Sequence, residues 1–520
     1  MELNQSISIF MMPFFLTGDA PVFTPGADSI WKPAVVALDK GKIYPHIYKV
    51  LQSSSGEPDM GYRMYSLSDN ALDIKTLLEQ RLHISLSKKG EPSRDIYFRF
   101  GKAESGAKAE KFFSPKLLIC PNSRIGMLVF SVMLETENQT MEDLMLLNYS
   151  IFKTYPQGSS QNEEIFMDCS NSDLASEEDL LSKCQEGTRD HAVRNKSVKQ
   201  MRSILEVVNR LFGHRDSWNM LSLTQLLMKD VKEYDRPDPC RLHVFTYLQL
   251  DQDNHSPEVM TDYLRLLKVQ NSKYQISMSD MNQMSYKTTF DNIYVGSTIE
   301  GGGIMTFLPQ TETETEGNSF FRDFIHGSLS QIYLWIYIMV LMQRFTLIAM
   351  EGRLTEYDLT KENTKDNRRR LSDFVDVLTR NKVYTSFNDI SSHTHHNLFY
   401  SLCRKNLSVE VISDSVERKT RALVEHLDKM IREEEIILAE AQNEISERRE
   451  VSLQIITVVA AIIALFSIFA DAFLILDADH LGLYCNDTAA WVRNLCVTGV
   501  VVGFGLLSWI AASYFLKKKK

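Results

Sequence analysis

The chain has little of what marks an enzyme, a nucleic-acid binder or a disulfide-stapled secreted domain. Seven cysteines are scattered over 520 residues with no CxxC pair and no zinc-ligand spacing, which reads as reduced cytosolic thiols. Cys485 and Cys496 are read as buried or free rather than bridged. Positive charge is in deficit, the net charge being -10, and this argues against direct nucleic-acid binding, which wants a basic surface. No Ser-His-Asp, HExxH, Walker or kinase-like constellation occurs, so nothing supports an enzyme. The apolar stretch 7–16 follows Glu2 and lacks a basic leader, so it reads as a buried strand and not a signal peptide. Finally, neither Gly nor Pro occurs between Ser408 and Leu476, so the two strongest helix breakers are missing there.

What is present in excess is apolar length at the C-terminal end. Residues 453–476 carry one charge, Asp471, and residues 491–516 form a second apolar run. Each exceeds the roughly 20 residues that a helix needs to cross about 30 Å of hydrocarbon. The expected segments are a transmembrane helix over 451–476, an extracytoplasmic loop over 477–490 and a second transmembrane helix over 491–516. Arg448 and Arg449 precede the first span, and Lys517 to Lys520 form a basic tail at 517–520. Cytoplasmic flanks are enriched in Lys and Arg, so both termini are expected in the cytoplasm of an inner-membrane protein with two spans. The lysine tail suits anionic headgroups, with the lipid bilayer as partner.

The preceding residues are enough for one large domain or two ordinary ones. Strand signals fall at 34–38, 95–100, 116–120 and 127–134, and a helix is expected over 140–149, its first turn carrying Glu142 and Asp143. The segment 1–156 therefore reads as an α/β lobe and 157–190 as a polar linker. The second part, 191–400, has helical spacing at 198–212 and 221–231, a strand at 241–250, and a hairpin over 291–308 turning at Glu300-Gly301-Gly302-Gly303. Gly301, Gly302 and Gly303 are candidate ligand-binding residues, because backbone amides without side chains can approach an anion; a plain turn is the competing reading. Arg368 and Arg369, in the run Arg368-Arg369-Arg370, are further candidates for a phosphate, against a solvated helix face. His393, His395 and His396 resemble a metal cluster but lack a carboxylate or cysteine at helical spacing, so an exposed loop is expected. Residues 332–350 are apolar enough for a third span, yet Gln343 and Arg344 interrupt them, and a buried helix is the preferred reading.

From 407 the chain turns helical. Ile412, Val416, Leu423, Leu427, Met430, Ile437, Ala441 and Ile445 recur near heptad spacing, predicting a stalk helix over 407–450 that runs on into the first span. An α+β cytosolic domain, a long stalk helix, two C-terminal transmembrane helices joined by a short outer loop, and a basic tail together resemble the CorA family of two-span divalent-cation transporters. The resemblance implies a homopentameric funnel whose first spans line a pore that passes divalent cations. It departs from the family at the end of the first span, where the Gly-Met-Asn signature is replaced by Asp471-Ala472-Phe473-Leu474 and then Asp477-Ala478-Asp479-His480. That departure puts magnesium selectivity in doubt. The enlarged N-terminal part is similar to the CorA-like membrane effectors of type III CRISPR systems. This implies a small nucleotide ligand, an adenylated S-adenosylmethionine (SAM-AMP).

Read from its own residues, the first span has one distinct face. Gln454, Thr457, Ala461, Ala464, Ile468 and Asp471 are polar or small at the ends and apolar in the middle, as a pore with a dry constriction requires. A packed helix dimer is the alternative. Asp477, Asp479 and Asp487 would ring the outer mouth. Two functions stand: a ligand-gated membrane effector, and a constitutive CorA-type magnesium transporter.

Overall fold

The computed structural model describes residues 3–17, 23–35, 42–51, 61–86, 94–100, 114–135, 139–155, 163–167, 207–208, 210–213, 218–250, 256–277, 279, 281–287, 292–307, 332–355, 364–385 and 387–475, with scattered helical positions from 491 to 509. They form two compact units, Met1–Leu427 and Asp428–Lys520. The protein is a mixed α+β chain with a long C-terminal helix.

The first unit is built on β1, Leu3–Leu16. From Ile9 on its sequence is apolar at every position, because both faces are buried: Phe10, Met12 and Phe14 enter one core and Ile7, Ile9 and Met11 the other. The remaining strands, in chain order, are β2 (Trp31–Ala34), β3 (Arg63–Leu67), β4 (Leu82–Leu86), β5 (Arg94–Phe100), β6 (Lys116–Cys120), β7 (Ile125–Leu134), β8 (Ile165–Met167), β9 (Tyr234–Asp235), β10 (His243–Leu250), β11 (Ser285–Lys287), β12 (Ile293–Ser297) and β13 (Gly301–Phe307). They join in one sheet of order β11-β12-β13-β10-β1-β7-β5-β4-β8, with β6, β3 and β2 extending from β7 and β9 pairing with β1. The pairs are antiparallel except β10 with β13. The described helices are α1 (Pro45–Leu51), α2 (Leu72–Leu78), α3 (Met141–Ile151), α4 (Met220–Leu227), α5 (Pro257–Leu267), α6 (Met281–Met284), α7 (Leu334–Thr355), α8 (Thr364–Thr385), α9 (Thr394–Asn406) and α10 (Val409–Ile475). Residues of α2, α3, α4 and α5 fill the core on one sheet face, and those of α1, α7 and α9 fill the other. The result is a sheet sandwiched between helical layers.

Local chemistry explains the boundaries. Thr140 caps α3 by accepting from the Asp143 amide, 3.2 Å away, and Ser256 and Asn219 cap α5 and α4 in the same way. Asp143 is buried but is paired with Arg94. Leu334–Thr355 is long and apolar enough to cross a membrane, and 72% of its most apolar window is buried in the protein, as in a core helix. Gln343, one of the two residues that interrupt it, is buried. The other, Arg344, is half-buried and donates to the Leu407 carbonyl.

Several expectations change. The strand expected at 34–38 lies at Trp31–Ala34, and 36–38 lie outside the described residues. The expected linker 157–190 contains β8, which pairs with β4; the rest of it, apart from 163–164, is not described. The lobes 1–156 and 191–400 share the sheet, since β1 pairs with β10 over Leu3 to Met11. The hairpin turn is Thr298-Ile299-Glu300, closed by the Thr298 amide donating to the Gly301 carbonyl at 2.6 Å, and the triple glycine begins β13. A Cβ on Gly302 would lie 2.8 Å from the Tyr337 ring of α7, and one on Gly303 2.6 Å from the Thr246 carbonyl oxygen. These positions are glycine because helix and strand approach too closely for a side chain.

Gly303→Ala should therefore cost about 1–3 kcal/mol of stability, since the clash is with backbone rather than a flexible side chain. Thermal unfolding of the full-length protein in detergent should show a midpoint lower by a few degrees. An unchanged midpoint would mean that β13 shifts without cost.

Candidate functional site

The residues proposed for the pore lie on α10, so its environment comes first. Within the first unit, Val416 and Leu427 of α10 pack with Met350 and Leu354 of α7 and Leu371 and Phe374 of α8. Glu351 accepts from Ser415 at 3.1 Å and from Lys419, and Lys382 pairs with Glu417. The Lys419 ammonium holds the Glu351 carboxyl below its ordinary range. At the start of α10, Ser408 adopts a left-handed backbone with φ 55°, which breaks α9 from α10. Asn406 donates to the Ser297 and Gln283 carbonyls at 2.7 and 3.1 Å, so this joint is fixed to the end of β12.

In the second unit α10 continues to Ile475, with no break after Asp428. Ile437 and Ile445 are exposed, and so are Leu453, Ile456, Ile463 and Ile468, the last at 65%. Apolar side chains exposed on successive turns of one helix mark a membrane or protein contact. Gln454, Thr457, Ala461, Ala464 and Ile468 are all helical and exposed, and their spacing places them on one face. Thr457 donates to the Leu453 carbonyl at 2.8 Å, so its hydroxyl is satisfied within the helix and does not need water. Asp471 lies within α10 by backbone, and its side chain is outside the described residues. Asp477, Asp479, Asp487 and the tail 517–520 are likewise outside them. Of the second run, Trp491, Leu495, Val502, Leu506 and Trp509 are helical and exposed.

The ligand candidates of the first unit do not come together. Gly301, Gly302 and Gly303 are buried beneath Leu267 of α5 and Tyr337 of α7. Their backbone serves the pairing of β13 with β10 and β12, which leaves no open face for an anion. Arg368, Arg369 and Arg370 are exposed on α8, beside the buried Asn367 and Leu371.

The histidines also differ from expectation. His393 is the N-cap residue of α9, and His395 and His396 lie in its first turn, not in a loop. His396 is 4% exposed, with Nδ1 3.0 Å from Ser391 Oγ. Ser391 gives its hydroxyl proton to the Lys42 carbonyl at 2.6 Å, so it accepts from His396, whose Nδ1 carries the proton. Desolvation by burial, followed by the His395 and His393 charges, pushes the His396 pKa down to about 3. Among the described residues no three side chains could hold a metal. His243 is also buried, beside the Phe345 ring, and desolvation followed by the Arg344 charge lowers its pKa to about 4. Sequence reasoning missed the joint formed by Arg344, Asn406 and Ser408. Its one visible signal was an arginine inside an apolar helix.

No family model, curated protein or solved structure matches this chain.

The buried imidazoles predict acid sensitivity. Folded His243 and His396 stay neutral down to about pH 4 and 3, whereas unfolded histidine gains a proton near its ordinary 6.5. The unfolded chain thus binds more protons below about pH 6.5, so this contribution is full above that value and is lost as pH falls. Urea unfolding at pH 7 and pH 5 should show His396→Gln with a slope shallower than the parent's by about 1.4 kcal/mol per pH unit at most. Identical slopes would mean that His396 takes up a proton in the fold.

Proposed function

We propose that this chain is a CorA-like membrane effector. It inserts 451–476, the last part of α10 and its continuation, and the run 491–516 as two spans, assembles as a homopentameric funnel, and opens when a nucleotide messenger of the SAM-AMP type binds the α/β unit in type III CRISPR antiviral defence. The observation that carries the reading is the run of exposed apolar side chains from Leu453 to Ile468 on an unbroken helix. Each such side chain left in water forgoes about 1.5–3 kcal/mol of burial, and a bilayer or sister helices would recover it. Gln454 and Thr457 at one end of the shared face, and Ala461 and Ala464 in its middle, suit a narrow pore with a dry gate. Asp471, with Asp477, Asp479 and Asp487, would concentrate divalent cations at the outer mouth and repel anions. A messenger that binds one arrangement of the α/β unit more tightly biases the gate by that difference in affinity.

Orientation is tested by labelling. An introduced cysteine near Asp479 should react with an impermeant thiol reagent from outside, and one near Lys518 should not. Labelling at Lys518 would sink the two-span topology.

Conduction is tested at the face itself. Asp471→Asn should reduce cation flux and cell toxicity without affecting assembly, and Ala464→Ser, by wetting the constriction, should leak without ligand. If Asp471→Asn conducts like the parent, that face lines no pore and the packed-helix reading wins. Flux in the parent that needs no ligand would favour the constitutive CorA-type transporter.

A further inference from the structure

The end of α3 and the start of β10 gather two cations and three tyrosines. Residues 152–154 run antiparallel to 240–242: the Leu242 amide donates to the Phe152 carbonyl and the Thr154 amide to the Cys240 carbonyl, each at 2.8 Å. This sets Lys153 opposite Arg241, and directly opposed residues of an antiparallel pair project to the same side. Thr154 points the other way, is fully buried and accepts from Arg236 at 2.6 Å, so the Lys153–Arg241 side is the outer one. Lys153 Nζ stands 4.0 Å from the centre of the Tyr149 ring. Burial raises the Tyr149 pKa, and the Tyr274 and Tyr155 phenols and Arg241 lie close enough to act on it electrostatically. Tyr274 is 45% exposed, and its position is fixed by Arg265, which donates to its carbonyl at 2.9 Å.

Charge at this face is incompletely balanced. The Lys153 side chain is 14% exposed, and its one carboxylate partner among the described residues, Glu163, is 4.0 Å away. Burial lowers the Lys153 pKa, so its charged form is under-solvated where it sits. Arg241 is exposed and makes no ion pair among the described residues. A cation after the end of a helix is common in itself, because it meets the negative end of the helix dipole. That accounts for Lys153 and leaves Arg241 and the tyrosines unexplained. Two adjacent cations beside phenol donors and an exposed ring match a ligand that is anionic at one end and flat at the other.

We propose that this face binds a nucleotide, with Lys153 and Arg241 taking a phosphate group and Tyr274 stacking on the base. Its consequence for gating rests on the effector reading above; the binding itself does not.

The test is calorimetric titration of the full-length protein in mild detergent with AMP, inorganic phosphate and adenosine. AMP should bind saturably and more tightly than either fragment. Arg241→Gln, at an exposed position, and Lys153→Met should each weaken AMP about tenfold. Tyr274→Leu should weaken AMP and leave inorganic phosphate unchanged. Absence of saturable AMP binding up to about 10 mM, or undiminished binding by Arg241→Gln, overturns the site. Equal affinity for AMP and inorganic phosphate overturns the role of Tyr274. AMP binding lost in Arg241→Gln with ion flux unchanged would keep the site and sink the gating reading. Asp471-dependent flux in a protein that does not bind AMP would do the reverse.

Discussion

The central strands of this protein must satisfy two apolar faces at once, and the rest of the first unit follows from that constraint. A sheet covered by helices on one side alone would have allowed its strands to alternate; covered on both, β1 from Ile9 and β7 carry near-continuous apolar runs. The helical layers then have to come close enough to close both cores. Where α5 and α7 approach β13, the sheet gives up its side chains altogether at Gly301, Gly302 and Gly303. Two of the polar groups between the layers pair with one another: Asn148 donates to Thr246 at 2.9 Å, and Tyr247 bonds Thr306 at 2.9 Å.

The same constraint separates what was legible in the sequence from what was not. β1, β5, β6, β7, β10 and the capped helix α3 could be read, because apolar runs and N-cap residues are local signals. The burial of α7 was legible through Gln343 and Arg344, which a bilayer would not tolerate without partners. β8 was hidden in a polar stretch, since three residues pairing with β4 leave no periodicity to detect. The glycines were assigned to the turn because sequence cannot distinguish a glycine required by φ from one required by a neighbouring helix. Of the candidate site, the face of α10 was legible from helical spacing. The Lys153–Arg241 pairing was not, because it joins residues 88 positions apart across a backbone bridge.

The histidines show how environment decides chemistry. Three imidazoles within four positions suggest metal or proton transfer, yet His396 is committed to Ser391 and kept neutral by burial. Its partner hydroxyl ends on the carbonyl of Lys42, so the group fastens the segment just before α1 to the start of α9.

The long-range pairing of β1 bears on how the protein is made. The ribosome makes β1 well before its partner β10, which pairs with one edge of it and is complete only when residue 250 has been synthesised. The other edge waits for β7. Until both arrive, β1 is an unpaired hydrophobic edge of the kind that chains in the cell use to aggregate. Translation pauses or shortages of holding chaperones between the synthesis of β1 and that of β10 therefore bear directly on the yield of this protein.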